Sequence, residues 1–517
     1  MVTPLSLLSC AVRIGAALVV LASGACRPAS EPAEPAPVVD DRSQLEERFL
    51  EMFARAYYPG RSGQIMLVPE PGAVMLEPDD PFHRFMHGSP WEYDVEIPLL
   101  MFGPGAIRPG IYNVPATHRD VAPTVAALLG VPTPITMSGR VLSEALREDA
   151  EPPRAILVAV LDGARRDLFD RQASALPTLS RLKSEGAWIA QTTVDYLPSL
   201  TSVGHGSIAT GAEPRVHGVV ANTMFDHIAG RPRGPYPDRT PTPLLALTIA
   251  DLWSLQTHGR AVIIAQGTTP RATIPLGGHG RCLVNGHAPV LAMFDAASAR
   301  WLTNEDCYRL PPYVADDRAD RMWQRSDGGW LGHEVSDGRT LLRSGWFPQF
   351  QADALVSMIE REAVGRDDIA DLILVNFKTL DYVAHRWGPD SDELAAAATD
   401  LDRALGRILA ALTSAVGAGR VVVVVVSDHG MPSEPAASGA ERHYITDIVD
   451  DLHARFDPDE ARIVQYYGDP ADNQIFIDRE RLEGLGFTLA AVADHIAALP
   501  FIFSAYTEDE VAAASRR

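Results

Sequence analysis

Residues 421–430 read VVVVVVSDHG. Six β-branched residues with no polar alternation suit a strand buried on both faces of a parallel sheet, which helices must then cover. The polar stop puts Asp428 and His429 where such a strand emerges, at the carboxyl edge where open α/β sheets hold their ligands. A single DHG reads as a polar turn, but two other apolar runs end in the same chemistry. AILVAVLDG (155–163) ends in Asp162, and DLILVNFKTLDYVAH (371–385) runs into Asp381 and His385, four residues apart and so on one face of a helical turn. Three carboxylates and two imidazoles at one sheet edge repel or desolvate one another unless positive charge sits between them. Mixed oxygen and nitrogen ligands suit zinc, with manganese or iron less favoured.

Outward from these runs, the chain alternates strands and helices from 155 to 517, with further buried strands expected at 155–161, 261–265 and 371–377. This pattern predicts an α/β fold: a mostly parallel central sheet with helices on both faces. A helix is expected from 391 to about 416, capped by Ser391, with an apolar stripe through Leu394, Leu401, Leu405, Ile408 and Leu412. Ahead of this block lie an amphipathic helix at 43–56, strands at 64–68 and 97–102, and a helix at 119–130. The polar stretch REDAEPPR separates the two blocks, with a linker at 148–154.

The chain has 517 residues, 46% of them hydrophobic, and a formal net charge of −22. Such a surface repels a phosphate polymer, so nucleic-acid binding is not expected, whereas a small anionic substrate is compatible if buried metals set the local field. Residues 1–26 combine Arg13, an apolar run too short to span a bilayer and small residues before Cys26, the pattern of an export signal. SGAC resembles a bacterial lipobox, which would make Cys26 the lipid-bearing first residue of an exported, periplasmic or membrane-anchored protein. Residues 27–42, rich in Pro, Ala and Glu, form an extended tether. Cys282 and Cys307 remain, and in an oxidising compartment they are expected to pair.

A nucleophile is offered by LPSLTSVGHGSIATG (197–211), where Thr201 stands at the amino end of an expected helix, a position that favours oxyanions. His205 is read as a buried structural histidine. The segments VAVLDGARRDLF, LPSLTSVGHGSIATGAEPRVHGVVAN, NFKTLDYVAHRWGPDSDE and VSDHG together resemble the alkaline phosphatase superfamily, in its type I phosphodiesterase/nucleotide pyrophosphatase and phosphate-irrepressible alkaline phosphatase branch. The resemblance implies a hydrolase of small phosphate esters with two zinc ions. One ion takes Asp162, Thr201, Asp428 and His429; the other takes Asp381, His385 and one more histidine. It further implies that Thr201 attacks phosphorus to give a phosphothreonine, with Asn222, Arg271 and the Ser202 amide holding the phosphoryl oxygens. TTPRATIPLGGH carries Thr269 where such relatives have a lysine, which predicts diesters hydrolysed at least as well as monoesters.

The order of segments departs from the family. A stretch like residues 61–130 closes the relatives' chains, so residues 43–147 read as a circularly permuted carboxyl-terminal segment, and 155–517 as the remainder with a cap-like insertion around 223–350. By this reading His87, in MHGSPWEYD, completes the second metal site in preference to His83 or His443. A sulfatase, a metal-dependent phosphomutase and a non-catalytic zinc-binding surface lipoprotein are the alternatives. TSVGH lacks the sulfatase pattern CxPxR, an exported protein has little access to sugar phosphates, and the nucleophile together with both ligand sets argues against a mere binder.

Overall fold

The computed structural model describes residues 41–284, 288–325 and 327–517. The export signal, Cys26 and all but the last two residues of the tether lie outside the described residues. Nine strands form the central sheet: β1 (Leu99–Phe102), β2 (Gly110–Thr117), β3 (Ala155–Leu161), β4 (Ala187–Thr193), β5 (Ile263–Gly267), β6 (Val290–Asp295), β7 (Arg300–Leu302), β8 (Asp371–Phe377) and β9 (Val421–Val426). Their order is β7-β6-β5-β8-β3-β9-β1-β4-β2. From β6 through β9 the neighbours are parallel, whereas β9 meets β1 antiparallel.

The valine run sits near the middle of this sheet, and its alternate residues feed two different cores. Val422, Val424 and Val426 join one apolar cluster with Ile156, Val158 and Val160. Val421, Val423 and Val425 join the other with Ala155, Leu157 and Ala159. A strand buried on both faces has no polar side to present, which is why the sequence shows no alternation. The helix Asp392–Val416 covers one face. Ser391 accepts a hydrogen bond from Leu394 N at 3.1 Å as its cap, and the leucine and isoleucine stripe is buried.

The amino-terminal block is part of this sheet. β1 lies between β9 and β4, and β2 forms the far edge. The preceding strand Ile65–Pro69 belongs to a second, four-stranded sheet, where it pairs with Gln474–Ile477 and with Ile502–Thr507 from the end of the chain. Ile65, Leu67, Ile475 and Ile502 share its core.

Part of the expectation needs correcting. Of residues 223–350, expected as a cap-like insertion apart from the strand at 261–265, β6 and β7 also join the central sheet: the apolar run of β6 is buried almost throughout, and β7 pairs with it antiparallel as the edge strand. Cys282 and Cys307 form a disulfide. Among the described residues no helix is long and apolar enough to cross a membrane.

Candidate metal centre

The carboxyl ends of β3, β8 and β9 converge as their sequences suggest, and the helix Thr201–Thr210 closes the site from one side. Its approach depends on Gly204, where a Cβ would stand 2.6 Å from the Cβ of Asp428. Any side chain there would push Thr201 away from the strand ends.

Among the described residues three overlapping groups of ligand-type side chains result, all buried: His87, Asp381 and His385; Asp162, His205 and Asp428; and Asp162, Asp381 and His429. Around the histidines that turn Nε2 inward they resolve into two sets. In the first, His87 Nε2 and His385 Nε2 face Asp381 Oδ1 at 3.6 and 3.2 Å. In the second, His429 Nε2 lies 3.2 Å from Thr201 Oγ1 and 3.5 Å from both Asp162 Oδ1 and Asp428 Oδ2. The two sets adjoin: the His87 and His429 rings stack with centroids 3.6 Å apart.

The backbone fixes which nitrogen each imidazole presents. Nδ1 of His87 donates to the Ser199 carbonyl at 3.0 Å, Nδ1 of His385 to that of Phe85 at 2.7 Å, and Nδ1 of His429 to that of Gly430 at 2.9 Å. Each ring therefore turns Nε2 inward, the arrangement in which a carbonyl behind the ring orients a metal-binding nitrogen. His205 differs. Its Nδ1 donates to the Thr201 carbonyl at 2.9 Å and its Nε2 accepts from Asn376 Nδ2 at 2.9 Å, so both nitrogens are engaged. Its Nδ1 also stands 3.2 Å from Asp428 Oδ2, close enough to lower that carboxylate's proton affinity without a hydrogen bond of good geometry.

The electrostatics call for cations. Burial, and then the neighbouring Asp428, push the Asp162 carboxyl above the usual carboxylate range. Burial acts the same way on Asp381, but His385 and Lys378 outweigh it and hold that group well below the usual range. His429 and His205 do the same for Asp428 against its burial. Burial and the adjacent His429 keep His87 neutral, with its lone pair available. Asp381 Oδ1 and Asp428 Oδ2 are buried without a hydrogen-bond partner, and such atoms require one. A divalent ion beside each would satisfy them, so the residues present fit a metal pair.

The other expected residues border a cavity of about 290 Å³ next to the ligand sets, lined by Asn222, Arg271, His87, His385, Glu77 and Tyr466 among others. Arg271 Nε has no hydrogen-bond partner. The Ser202 amide, expected as a free donor, instead donates to Asn222 Oδ1 at 3.3 Å, so these two groups act as one unit. His83 reaches the rim of this cavity, but its Nδ1 bonds Asp80. His443 stacks on Phe501, with centroids 3.9 Å apart, and joins neither ligand set.

Sequence reasoning passed over Lys378. It follows β8 directly, is fully buried, and its ammonium reaches Asp162 Oδ1 and Asp381 Oδ2 at 2.7 Å and Thr201 Oγ1 at 2.8 Å. The available signal was a lysine directly after a buried strand and three residues before Asp381. Burial opposes its charge, but Asp162 and Asp381 outweigh that and raise its proton affinity.

The pattern of the type I phosphodiesterase/nucleotide pyrophosphatase family matches residues 156–499. The alkaline phosphatase PafA of Elizabethkingia meningoseptica is 25% identical over 434 residues, covering 71% of this chain and 76% of PafA. The alkaline phosphatase PhoV of Synechococcus elongatus is 24% identical over 331 residues, 55% of this chain and 60% of PhoV. The crystal structure of wild-type PafA superimposes with a TM-score of 0.54 at 20% identity, covering 66% of this chain and 76% of that one, a likeness of fold.

Proposed function

This chain belongs to the type I phosphodiesterase/nucleotide pyrophosphatase family of the alkaline phosphatase superfamily and is a phosphoester hydrolase, and from that premise we propose that it works with two zinc ions and a threonine nucleophile. One observation carries this reading. Three imidazoles, each anchored by Nδ1 to a backbone carbonyl, turn Nε2 onto three buried carboxylates and the Thr201 hydroxyl. Asp162, Thr201, Asp428 and His429 would hold one ion, and His87, Asp381 and His385 the other. When bound, the ions would lower the proton affinity of the threonine hydroxyl and neutralise charge on the leaving oxygen.

The protein's own groups do the rest. The Thr201 oxygen, its proton passed to solvent, forms a bond to phosphorus as the bond to the alcohol oxygen breaks; water then cleaves the phosphothreonine and restores the hydroxyl. Arg271, with its uncommitted Nε, and the Asn222–Ser202 unit hold the remaining phosphoryl oxygens. Thr269 stands just before the helix that carries Arg271, its hydroxyl making no cap hydrogen bond, and brings no charge. With one cation fewer than a Lys-Arg pair there, a dianionic monoester gains less, so diesters are turned over at least comparably. Hydrolysis of matched chromogenic mono- and diesters by the purified chain, with its zinc content measured alongside, tests the reading. Zinc bound without turnover would favour a binding protein, and a large monoester preference would remove the diester reading.

We also propose that the chain is a circular permutant, exported and held at a membrane by a lipid on Cys26. The support for permutation is that the family match begins at residue 156, while His87 and two sheet strands come from the block before it. Export rests on the leader sequence and agrees with the disulfide.

A further inference from the structure

Lys378 has no solvent in which to place its charge, and all three of its donors act inside the metal centre. One goes to Asp162 of the first ligand set and one to Asp381 of the second, both at 2.7 Å; the third goes to Thr201 Oγ1 at 2.8 Å. A salt bridge serving only to hold the fold is a poor explanation, because burying charges gains little stability over well-packed apolar side chains. It would also leave the bond to the threonine unaccounted for. The two carboxylates that the ammonium bonds divide their oxygens differently. Asp381 gives Oδ2 to the ammonium and turns the unpaired Oδ1 toward His87 and His385. Asp162 gives Oδ1 to the ammonium and Oδ2 to Asn376 Nδ2 at 2.8 Å.

We propose that Lys378 is a catalytic residue: a cation supplied by the protein itself, set between the two ligand sets, that holds the Thr201 oxygen and favours negative charge on it. The inference rests on the metal-hydrolase reading above and deepens it. Its distinguishing consequence is a conflict between metal affinity and reactivity. A fixed positive charge bonded to ligands of both sites repels incoming divalent ions, whereas the same charge stabilises an anionic threonine oxygen. A residue that merely braced the ligands would strengthen metal binding. Lys378 weakens it and in exchange makes the nucleophile more reactive. The positive charge absent at Thr269 thus has a counterpart acting on the attacking oxygen.

The test is zinc affinity of the whole chain, measured by competition with a chromophoric chelator for wild type, Lys378→Met and Lys378→Gln, with circular dichroism to verify folding. Both variants are expected to bind zinc at least tenfold more tightly than wild type, while kcat for a chromogenic diester at saturating zinc falls at least a hundredfold. Equal or weaker zinc binding by a folded variant, or an unchanged kcat, overturns the proposal and leaves the hydrolase reading intact. Failure of both variants to fold also overturns it, by making Lys378 a folding residue. A wild-type chain that binds no zinc would instead remove the reading on which the proposal rests.

Discussion

At the scale of single residues the site divides into groups that react and groups that aim them. Thr201→Ala removes the proposed attacking oxygen but leaves the carboxylates and imidazoles in place. Turnover of a chromogenic ester should fall by roughly a thousandfold or more, with zinc content close to wild type; wild-type rates would shift attention to Ser199 and Ser202. His87→Ala has the opposite signature. It opens one corner of the second ligand set, so zinc occupancy should drop by about one ion per chain at a free-zinc level that saturates wild type, as read by elemental analysis. The meeting of Asp162, Asp381, His385, Asp428 and His429 at one sheet edge is legible in the sequence, because each follows an apolar run or sits at helical spacing. Lys378 was not, since a sequence shows a buried cation only as a polar residue among apolar ones, and its three partners come from three segments of the chain. The Ser202–Asn222 bond was equally hidden, because it joins groups 20 residues apart whose meeting depends on how the helix Thr201–Thr210 seats.

At the scale of elements, Asp371 anchors the start of β8. Its two oxygens accept from Val262 N at 2.9 Å and Gly365 N at 2.7 Å, yet burial raises its pKa to about 6. Because the folded value lies above the unfolded one, the fold prefers the protonated acid. That contribution is fully present below pH ~4 and is lost as the pH rises through about 6. Asp371→Asn mimics the neutral acid and does not titrate. Denaturation at pH 4 and pH 7 should therefore show the variant gaining on wild type by on the order of 2 to 3 kcal/mol over that interval; a constant gap would mean that Asp371 stays ionised. Strand positions were readable because β-branched runs buried on both faces carry no competing pattern. β3 and β8 fall where expected, and β5 begins and ends two residues later than 261–265. The antiparallel partner of β9 was not readable, because an apolar strand accepts either direction on its edge. Within residues 223–350 the strand near 261–265 is readable but β6 and β7 are not, for a related reason: short strands between loops resemble an insertion until their neighbours are known.

At the scale of the whole molecule, the block before residue 148 is inseparable from the rest. Tyr506 donates to the Glu46 carbonyl at 2.7 Å and Tyr57 to Glu508 at 3.0 Å, so the chain's last elements lie against the helix Arg42–Ala56. A rearranged chain running 155–517 and then 41–147 should consequently fold, keep zinc and hydrolyse the same esters within a few-fold of wild type. Residues 155–517 alone should be insoluble or metal-poor, since they lack β1, β2 and His87. A soluble, zinc-replete 155–517 fragment would contradict both the sheet order and the second ligand set.

The place of β1 between β9 and β4 also constrains the order of synthesis. β1 is made early, but β9, against which it must lie, leaves the ribosome about 320 residues later. At roughly 5 to 20 residues per second this is a delay of about 15 to 65 s, during which a bare hydrophobic edge must be shielded by a chaperone or by transport. If the chain is exported, as proposed, the delay is useful, because a polypeptide unable to close its sheet until residue 426 is made stays unfolded, and so catalytically silent, while it can still be threaded across a membrane.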